Sequence, residues 1–274
     1  MGKRILVAVV FIPVIFLVLF GLAPQFPVVL PAAVAILSMI AVHEVLWSTG
    51  FLKDAALTWG SIVLAGLIPF WVYLGGDEAW AMTGLFVYVL LLFLRAIRSH
   101  KTITTEKMGG AFFFTVFIPF FLSSFVRIRG MEHWQVLILL PFLAAFLSDA
   151  FALFAGMLFG KHKLAPELSP KKTVEGAVGG FVGSILTLLL YGAVLQFGFQ
   201  FQVSYPLLAL YGAVGSAVSQ IGDLSFSYIK REYGIKDYGK IFPGHGGVLD
   251  RFDSVIFCAP LMEALVRCLP AIRV

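Results

Sequence analysis

Ala144-Ala145-Phe146-Leu147-Ser148-Asp149-Ala150-Phe151 occupies the middle of an apolar run near 134–159. A bilayer core takes roughly 17–25 apolar residues per helix, so this run is long enough to cross one. One carboxylate stands at its centre. On insertion scales an aspartate there costs roughly 2.5–3.5 kcal/mol, so Asp149 is expected to face a protein interior or a water-filled cavity. A helix–helix polar contact with Ser148 as glue is the plain account. A metal or substrate ligand is the sharper one.

Composition extends this setting to the whole chain. Its 274 residues are 60 % hydrophobic and 13 % charged, with 28 Phe and a mean hydropathy of +0.96. Soluble globular proteins run near roughly 45–50 % and 25 %. No single soluble core hides that much apolar surface, and disordered, coiled-coil and disulfide-scaffold classes are excluded by the same numbers. Cys258 and Cys268 sit ten residues apart on one apolar run, which on a helix is about 15 Å and too far for a disulfide.

Working outward, candidate spans fall near 5–21, 27–48, 55–74, 78–95, 110–126, 134–159, 173–198, 205–229 and 248–268, nine in all. The expected fold class is therefore an all-α polytopic membrane protein. The first span follows Lys3 and Arg4 as a signal peptide would, but Leu22-Ala23-Pro24-Gln25-Phe26 offers no small-x-small cleavage site, so it reads as a retained helix. With the N-terminus in the cytoplasm, inside segments hold Lys3, Arg4, Lys53, Arg95, Arg98, Lys101, Lys107, Lys161, Lys163, Lys171, Lys172, Lys230, Arg231, Lys236, Lys240 and Arg251. Those are sixteen of the 20 basic residues. Only Arg127, Arg129, Arg267 and Arg273 remain outside, as the positive-inside rule requires. Topology thus accounts for the net charge of +5, and no nucleic-acid partner is expected. Residues 1–130 offer hydropathy alone and read as a scaffold with surface for a homodimer; residues 131–274 carry the motifs.

Those motifs lie on or beside the cytoplasmic side. In Leu168-Ser169-Pro170-Lys171-Lys172-Thr173-Val174-Glu175-Gly176, Ser169 is expected as a helix N-cap with Pro170 at the first helical position. Lys171, Lys172 and Thr173 then fall on a first turn suited to an anion, or to nothing more than a capped, solvated helix start. Gly176, Gly179, Gly180 and Gly183 behind it read as close helix packing. Gln220-Ile221-Gly222-Asp223-Leu224 places another carboxylate in an apolar span, followed by Lys230 and Arg231 at the membrane edge, and a lone buried Asp–Lys contact is its plain account. The densest stretch runs from Lys236-Asp237 through Gly244-His245-Gly246-Gly247 to Asp250-Arg251-Phe252-Asp253-Ser254. Asp250 and Asp253, three apart, share a helix face; a tight turn followed by helix-capping aspartates is the plainer reading. Asp149, Asp223, Asp250 and Asp253 supply the hard oxygens Mg²⁺ prefers, usually one or two per ion, with phosphate oxygens completing the shell. The lysines and arginines supply fixed charge for a polyphosphate. Nothing matches a P-loop, a serine–histidine–aspartate triad or a dinucleotide fingerprint. Glu44 and His43, near the end of the second span, are open to a functional role, with a polar pair at the membrane edge as the plainer reading.

The stretch from Ser227 through Lys230-Arg231, Lys236-Asp237, Gly239, Phe242-Pro243, His245-Gly246-Gly247, Asp250-Arg251 and Asp253 resembles the signature of the phosphatidate cytidylyltransferases, or CDP-diacylglycerol synthases. Ser148-Asp149, Gly156, Phe159-Gly160-Lys161, Ser169-Pro170-Lys171-Lys172-Thr173, Glu175-Gly176 and Gly222-Asp223-Leu224 are similar to that family's pattern as well. The motif-level resemblance covers about residues 148–254. Two positions depart from it: Leu153 stands where a tyrosine is frequent, and Phe226 where an acid is. The resemblance implies transfer of a cytidylyl group from CTP to phosphatidic acid at the cytoplasmic face of the cell (inner or plasma) membrane, releasing pyrophosphate. It makes Asp223, Asp250, Lys230, Arg231 and His245 the catalytic candidates. Ser169, Lys171, Lys172, Thr173, Lys236 and Arg251 become phosphate-holding candidates. Asp223 and Asp250 become ligands of Mg²⁺, with Asp253 and Asp149 as first- or second-shell partners and a second cation an option. A CTP-dependent polyprenol or dolichol-type lipid kinase, transferring the γ-phosphate instead, and an ion-coupled transporter built on the buried aspartates are the rival expectations.

Overall fold

The computed structural model describes residues 13–51, 54–241 and 246–273. Lys3, Arg4, Lys53, His245 and the start of the first expected span lie outside them. The chain is mostly helical. In order it forms α1 (Pro13–Leu22, its Leu17–Leu22 part π-helical), α2 (Val29–Ser48), α3 (Ala55–Tyr73), α4 (Glu78–Arg98), α5 (Thr105–Leu122) and α6 (Ser124–Arg129). Then come α7 (Trp134–Leu137), α8 (Leu139–Phe159), β1 (Lys163–Ala165), β2 (Ser169–Thr173), α9 (Val174–Phe199), β3 (Gln202–Val203), α10 (Tyr205–Glu232), α11 (Leu249–Cys268) and β4 (Ile272–Arg273). Six described stretches are long and apolar enough to cross a membrane: α2, α4, Thr105–Arg129, Trp134–Phe159, α9 and α10. Pro13–Leu22 and Leu57–Tyr73 are shorter apolar helices. α11 spans 20 residues but carries Asp250, Arg251, Asp253, Glu263 and Arg267.

The chain divides into two compact units. The first comprises the residues up to Gly130 together with Tyr233–Arg251. Its helices α4 and α5 start where side chains satisfy free N–H groups: Asp77 accepts from the Trp80 N–H at 3.1 Å and Thr104 from the Lys107 N–H at 3.3 Å. α3, α4 and α5 are joined inside the apolar layer by one polar knot, in which Tyr88 Oη pairs with Ser61 Oγ (2.7 Å) and donates to Thr115 Oγ1 (3.0 Å). The end of α4 returns to the start of α3 through a forked ion pair, Arg95 to Asp54, with Nη2 to Oδ2 at 2.8 Å. Arg129 Nη2 likewise reaches the Ala23 carbonyl at 3.2 Å. Leu46, Ile118, Leu122 and Ile128 are fully buried at the centre of this unit.

The second unit comprises Met131–Glu232 and the residues from Phe252 onward. α8 and α9 lie nearly backbone to backbone, as the glycine spacing predicts. A Cβ at Gly180 would sit 2.8 Å from the Ser148 carbonyl and 3.0 Å from the Ala152 Cβ, and one at Gly179 or Gly183 would strike Ala155 or Phe151. Ser148 does serve as glue: its hydroxyl pairs with Ser216 of α10 at 2.7 Å, fully buried. β3 and β4 pair antiparallel, and Tyr211 Oη donates to the Leu269 carbonyl at 2.7 Å. α11 contributes its first turn to the first unit and the rest to the second.

Candidate active site

Within the second unit, three carboxylates and two amines from four elements come together. α10 presents Asp223, Ser227 and Lys230 at helical spacing along one face. Lys172 on β2 forms an ion pair with Asp223, and Ser227 Oγ donates to Asp223 Oδ1 at 3.3 Å. Asp149 of α8 accepts from Ser254 Oγ of α11 at 3.0 Å, while the Ser254 N–H donates to Asp253 Oδ1 at 2.8 Å. Asp253 is 8 % exposed, and its charged neighbours are Asp223, Lys230 and Asp149. Lys230, only 9 % exposed, is buried among them. Buried polar groups need partners, and Asp223 has Lys172 and Ser227, Asp149 has Ser254, and Asp253 has the Ser254 N–H.

Lys172 reaches Asp223 by a route different from the expected one. Ser169–Thr173 is not the first turn of a helix but β2, paired antiparallel with β1 through Lys163–Thr173 and Ala165–Ser169. The cap belongs to Thr173, whose Oγ1 accepts from the Gly176 N–H at 3.1 Å, so Ser169 is not the N-cap and α9 starts at Val174. Pro170 has no N–H to lose in an edge strand, and its fixed φ suits extended backbone. Glu175 in the first turn of α9 pins the hairpin, accepting from the Lys161 and His162 N–H groups (3.1 and 3.2 Å) with its other oxygen 2.6 Å from His162 Nδ1. Arg231 Nε donates to the Leu168 carbonyl at 3.1 Å, tying the hairpin turn to the end of α10. Lys171 on the same strand is exposed.

The remaining motif residues belong to the first unit. Asp250, 6 % exposed in the opening turn of α11, accepts through Oδ2 from the Tyr238 N–H (2.8 Å) and the Gly247 N–H (2.9 Å). It therefore organises the glycine turn as well as heading the helix. Gly246 adopts φ +80°, and a Cβ there would sit 2.6 Å from Asp250 Oδ2. Lys236 and Arg251 are exposed. Among the described residues no group of three or more His, Cys, Asp or Glu is arranged as a preformed metal cage.

The expectation for Glu44 needs correction. It is not a pair with His43 at the membrane edge: His43 is exposed, and Glu44 is 4 % exposed. The Val248 and Leu249 N–H groups, the unsatisfied donors at the start of α11, donate to its Oε1 (3.0 Å) and Oε2 (2.8 Å). Ser254, which ties Asp149 to Asp253, carries no signal of its own in the sequence. The signal for Glu44 was present, because an ionisable residue inside an apolar span marks a site by default.

Several apolar spans long enough to cross a bilayer, with carboxylates and amines gathered on their helices and on a lysine-bearing hairpin, define a helical membrane protein. The chain belongs to the cytidylyltransferase family, whose model matches residues 2–269. It is 34 % identical over 212 residues to the phosphatidate cytidylyltransferase of Bacillus subtilis, covering 74 % of this chain and 77 % of that protein. The phosphatidate cytidylyltransferase of Thermotoga maritima is 35 % identical over 159 residues (57 % and 58 % of the two chains). That of Staphylococcus epidermidis is 47 % identical over 140 residues, 51 % of each.

Proposed function

We propose that the chain is a CTP:phosphatidate cytidylyltransferase, a nucleotidyltransferase making CDP-diacylglycerol and pyrophosphate for phospholipid biosynthesis. The observation that carries the reading is the cluster of Asp149, Asp223 and Asp253 with Lys172 and Lys230, found in a chain of the cytidylyltransferase family. An oxygen of the phosphatidate phosphate attacks the α-phosphorus of CTP. A new P–O bond forms, the α–β anhydride bond breaks, and pyrophosphate leaves with the electron pair. The nucleophile is already ionised, so no strong base is needed; positioning and charge neutralisation are. Lys172 and Lys230, with exposed Lys171, Arg231, Lys236 and Arg251, hold phosphates and favour the departing charge.

Mg²⁺ fits this donor set. It binds through one or two carboxylates plus substrate phosphates and water, so it needs no preformed cage. Asp223 and Asp250 would hold it, with Asp253 and Asp149 beside them, and bound there it would neutralise and orient the triphosphate. Ser254 keeps Asp149 and Asp253 aimed while the ion is held.

The same reading includes nine spans with the N-terminus in the cytoplasm. In support, Arg95–Asp54, Arg129–Ala23, Arg231–Leu168 and the β3–β4 pair each join segments that this alternation puts on one side. The reacting groups then face the cytoplasm, and the membrane is the inner or plasma membrane. A homodimer through the first half completes it: α4 is apolar and exposes Trp80, Phe86, Leu90, Leu94 and Ile97. Incubating purified protein with labelled CTP, Mg²⁺ and phosphatidic acid is the test. A cytidine diphospho-lipid and pyrophosphate are expected. CDP with a lipid phosphate, or ion flux in sealed vesicles without CTP, refutes the reading.

A further inference from the structure

Among the buried carboxylates of the described residues, Glu44 is the one from outside the motif half, and the transfer chemistry above gives it no part. Four observations converge on it, all within the first unit. It is 4 % exposed in an apolar helix. Each of its carboxylate oxygens accepts one backbone N–H, from Val248 and Leu249. Gly239 and Gly247 pack against it so closely that a Cβ at either would run into the carboxylate. One residue beyond the amides it holds stands Asp250, which closes the same turn through the Gly247 and Tyr238 N–H groups.

These contacts account for glycines that motif reading leaves unexplained. Gly246 is required by its backbone angle, whereas Gly239 and Gly247 are required because Glu44 occupies the space where their side chains would be. A carboxylate buried this deeply is stable only with its donors in place, so the turn and Glu44 hold each other. The donors are backbone groups. They give way only if the chain itself moves, and a shift there would re-aim Asp250.

We propose that Glu44 is a positioning residue for nucleotidyl transfer: it clamps the Gly246–Leu249 turn and so fixes the direction of the Asp250 carboxylate. The proposal rests on the cytidylyltransferase reading for what Asp250 does, but its structural half stands apart from activity. Glu44→Gln keeps the volume while turning one acceptor into a donor that faces a backbone N–H. Gly247→Ala perturbs the same contact from the other side.

The test is hydrogen–deuterium exchange on substrate-free, full-length protein, followed by activity over a Mg²⁺ series. In both variants the Gly246–Asp250 segment should exchange faster, with α9 and α10 unchanged. Mg²⁺ for half-maximal activity should rise about tenfold or more, as for other residues that orient metal ligands, with the KM for phosphatidic acid little altered. The double variant should be no worse than the poorer single one. Unchanged exchange in the turn, faster exchange with an unchanged Mg²⁺ requirement, or unfolding of both variants each overturns the proposal. Wild-type protein that makes no CDP-diacylglycerol sinks the functional reading instead, and the exchange measurement still decides whether Glu44 clamps the turn.

Discussion

Replacing Lys172 by Met separates what its ion pair does for stability from what its charge does for substrate. The side chains of Lys172 and Asp223 are 26 % and 24 % exposed. Exposed pairs are worth about 0.2–1 kcal/mol, while breaking a fully buried pair costs about 3–5 kcal/mol. A pair in between, with Ser227 still donating to the orphaned carboxylate, should lose about 1–2 kcal/mol. That amounts to a few degrees of melting temperature, measured by thiol-independent thermal unfolding in detergent. If Lys172 also holds a phosphate, losing that charge-assisted contact costs about 1.5–3 kcal/mol more in the transition state, or roughly 10–100-fold in kcat/KM for CTP. The double variant Lys172→Met/Asp223→Asn isolates the stability role of the pair. Its melting loss should be smaller than the sum of the singles, because the unpaired charge is gone, while activity stays absent. Wild-type kcat/KM in Lys172→Met, with only the melting temperature lowered, would refute the phosphate role.

Asp223→Asn or Asp250→Asn should each abolish CDP-diacylglycerol formation, read by thin-layer chromatography, while size-exclusion profiles remain those of folded protein. Chelation by EDTA should remove activity and added Mg²⁺ restore it; activity that survives exhaustive chelation contradicts the metal assignment. Ser254→Ala removes the half-buried hydrogen bond to Asp149, so a loss of about 1.5–3 kcal/mol, divided between melting temperature and kcat, is expected. Gly180→Val forces methyl groups against the Ser148 carbonyl and Ala152, and overpacking of about 1–3 kcal/mol should appear as a lowered melting temperature.

Much of this arrangement was legible one residue at a time. The cost of charge in an apolar span marks Asp149 and Asp223, three-residue spacing pairs Asp253 with Asp250, and small-residue spacing marks α9 for close helix packing. What was not legible is non-local. Ser169-Pro170 reads as a helix start because both residues favour one, but the pairing of β2 with Lys163 and Ala165 depends on a neighbour across a turn. Thr173, one step before α9, then takes the cap. The Lys172–Asp223 pair joins a hairpin to a distant helix, a partnership no local pattern encodes. Glu44 failed differently: its rule was at hand, but its proximity to a span end made a solvated edge the easier account.

The way each carboxylate is satisfied divides them by what they can do. Glu44 and Asp250 are held by backbone N–H groups, Val248 and Leu249 for one, Tyr238 and Gly247 for the other. Backbone donors fixed by a turn cannot swing away, so these two carboxylates are built to keep one direction. Asp223 is held by a lysine on a four-carbon stem and by a serine hydroxyl, Asp149 by a serine hydroxyl. Such donors rotate at little cost, and Lys172 can leave Asp223 for an incoming phosphate without moving the main chain. The carboxylate at the head of α11 therefore keeps its direction whatever binds, whereas those of the cluster can change partners as ligands come and go.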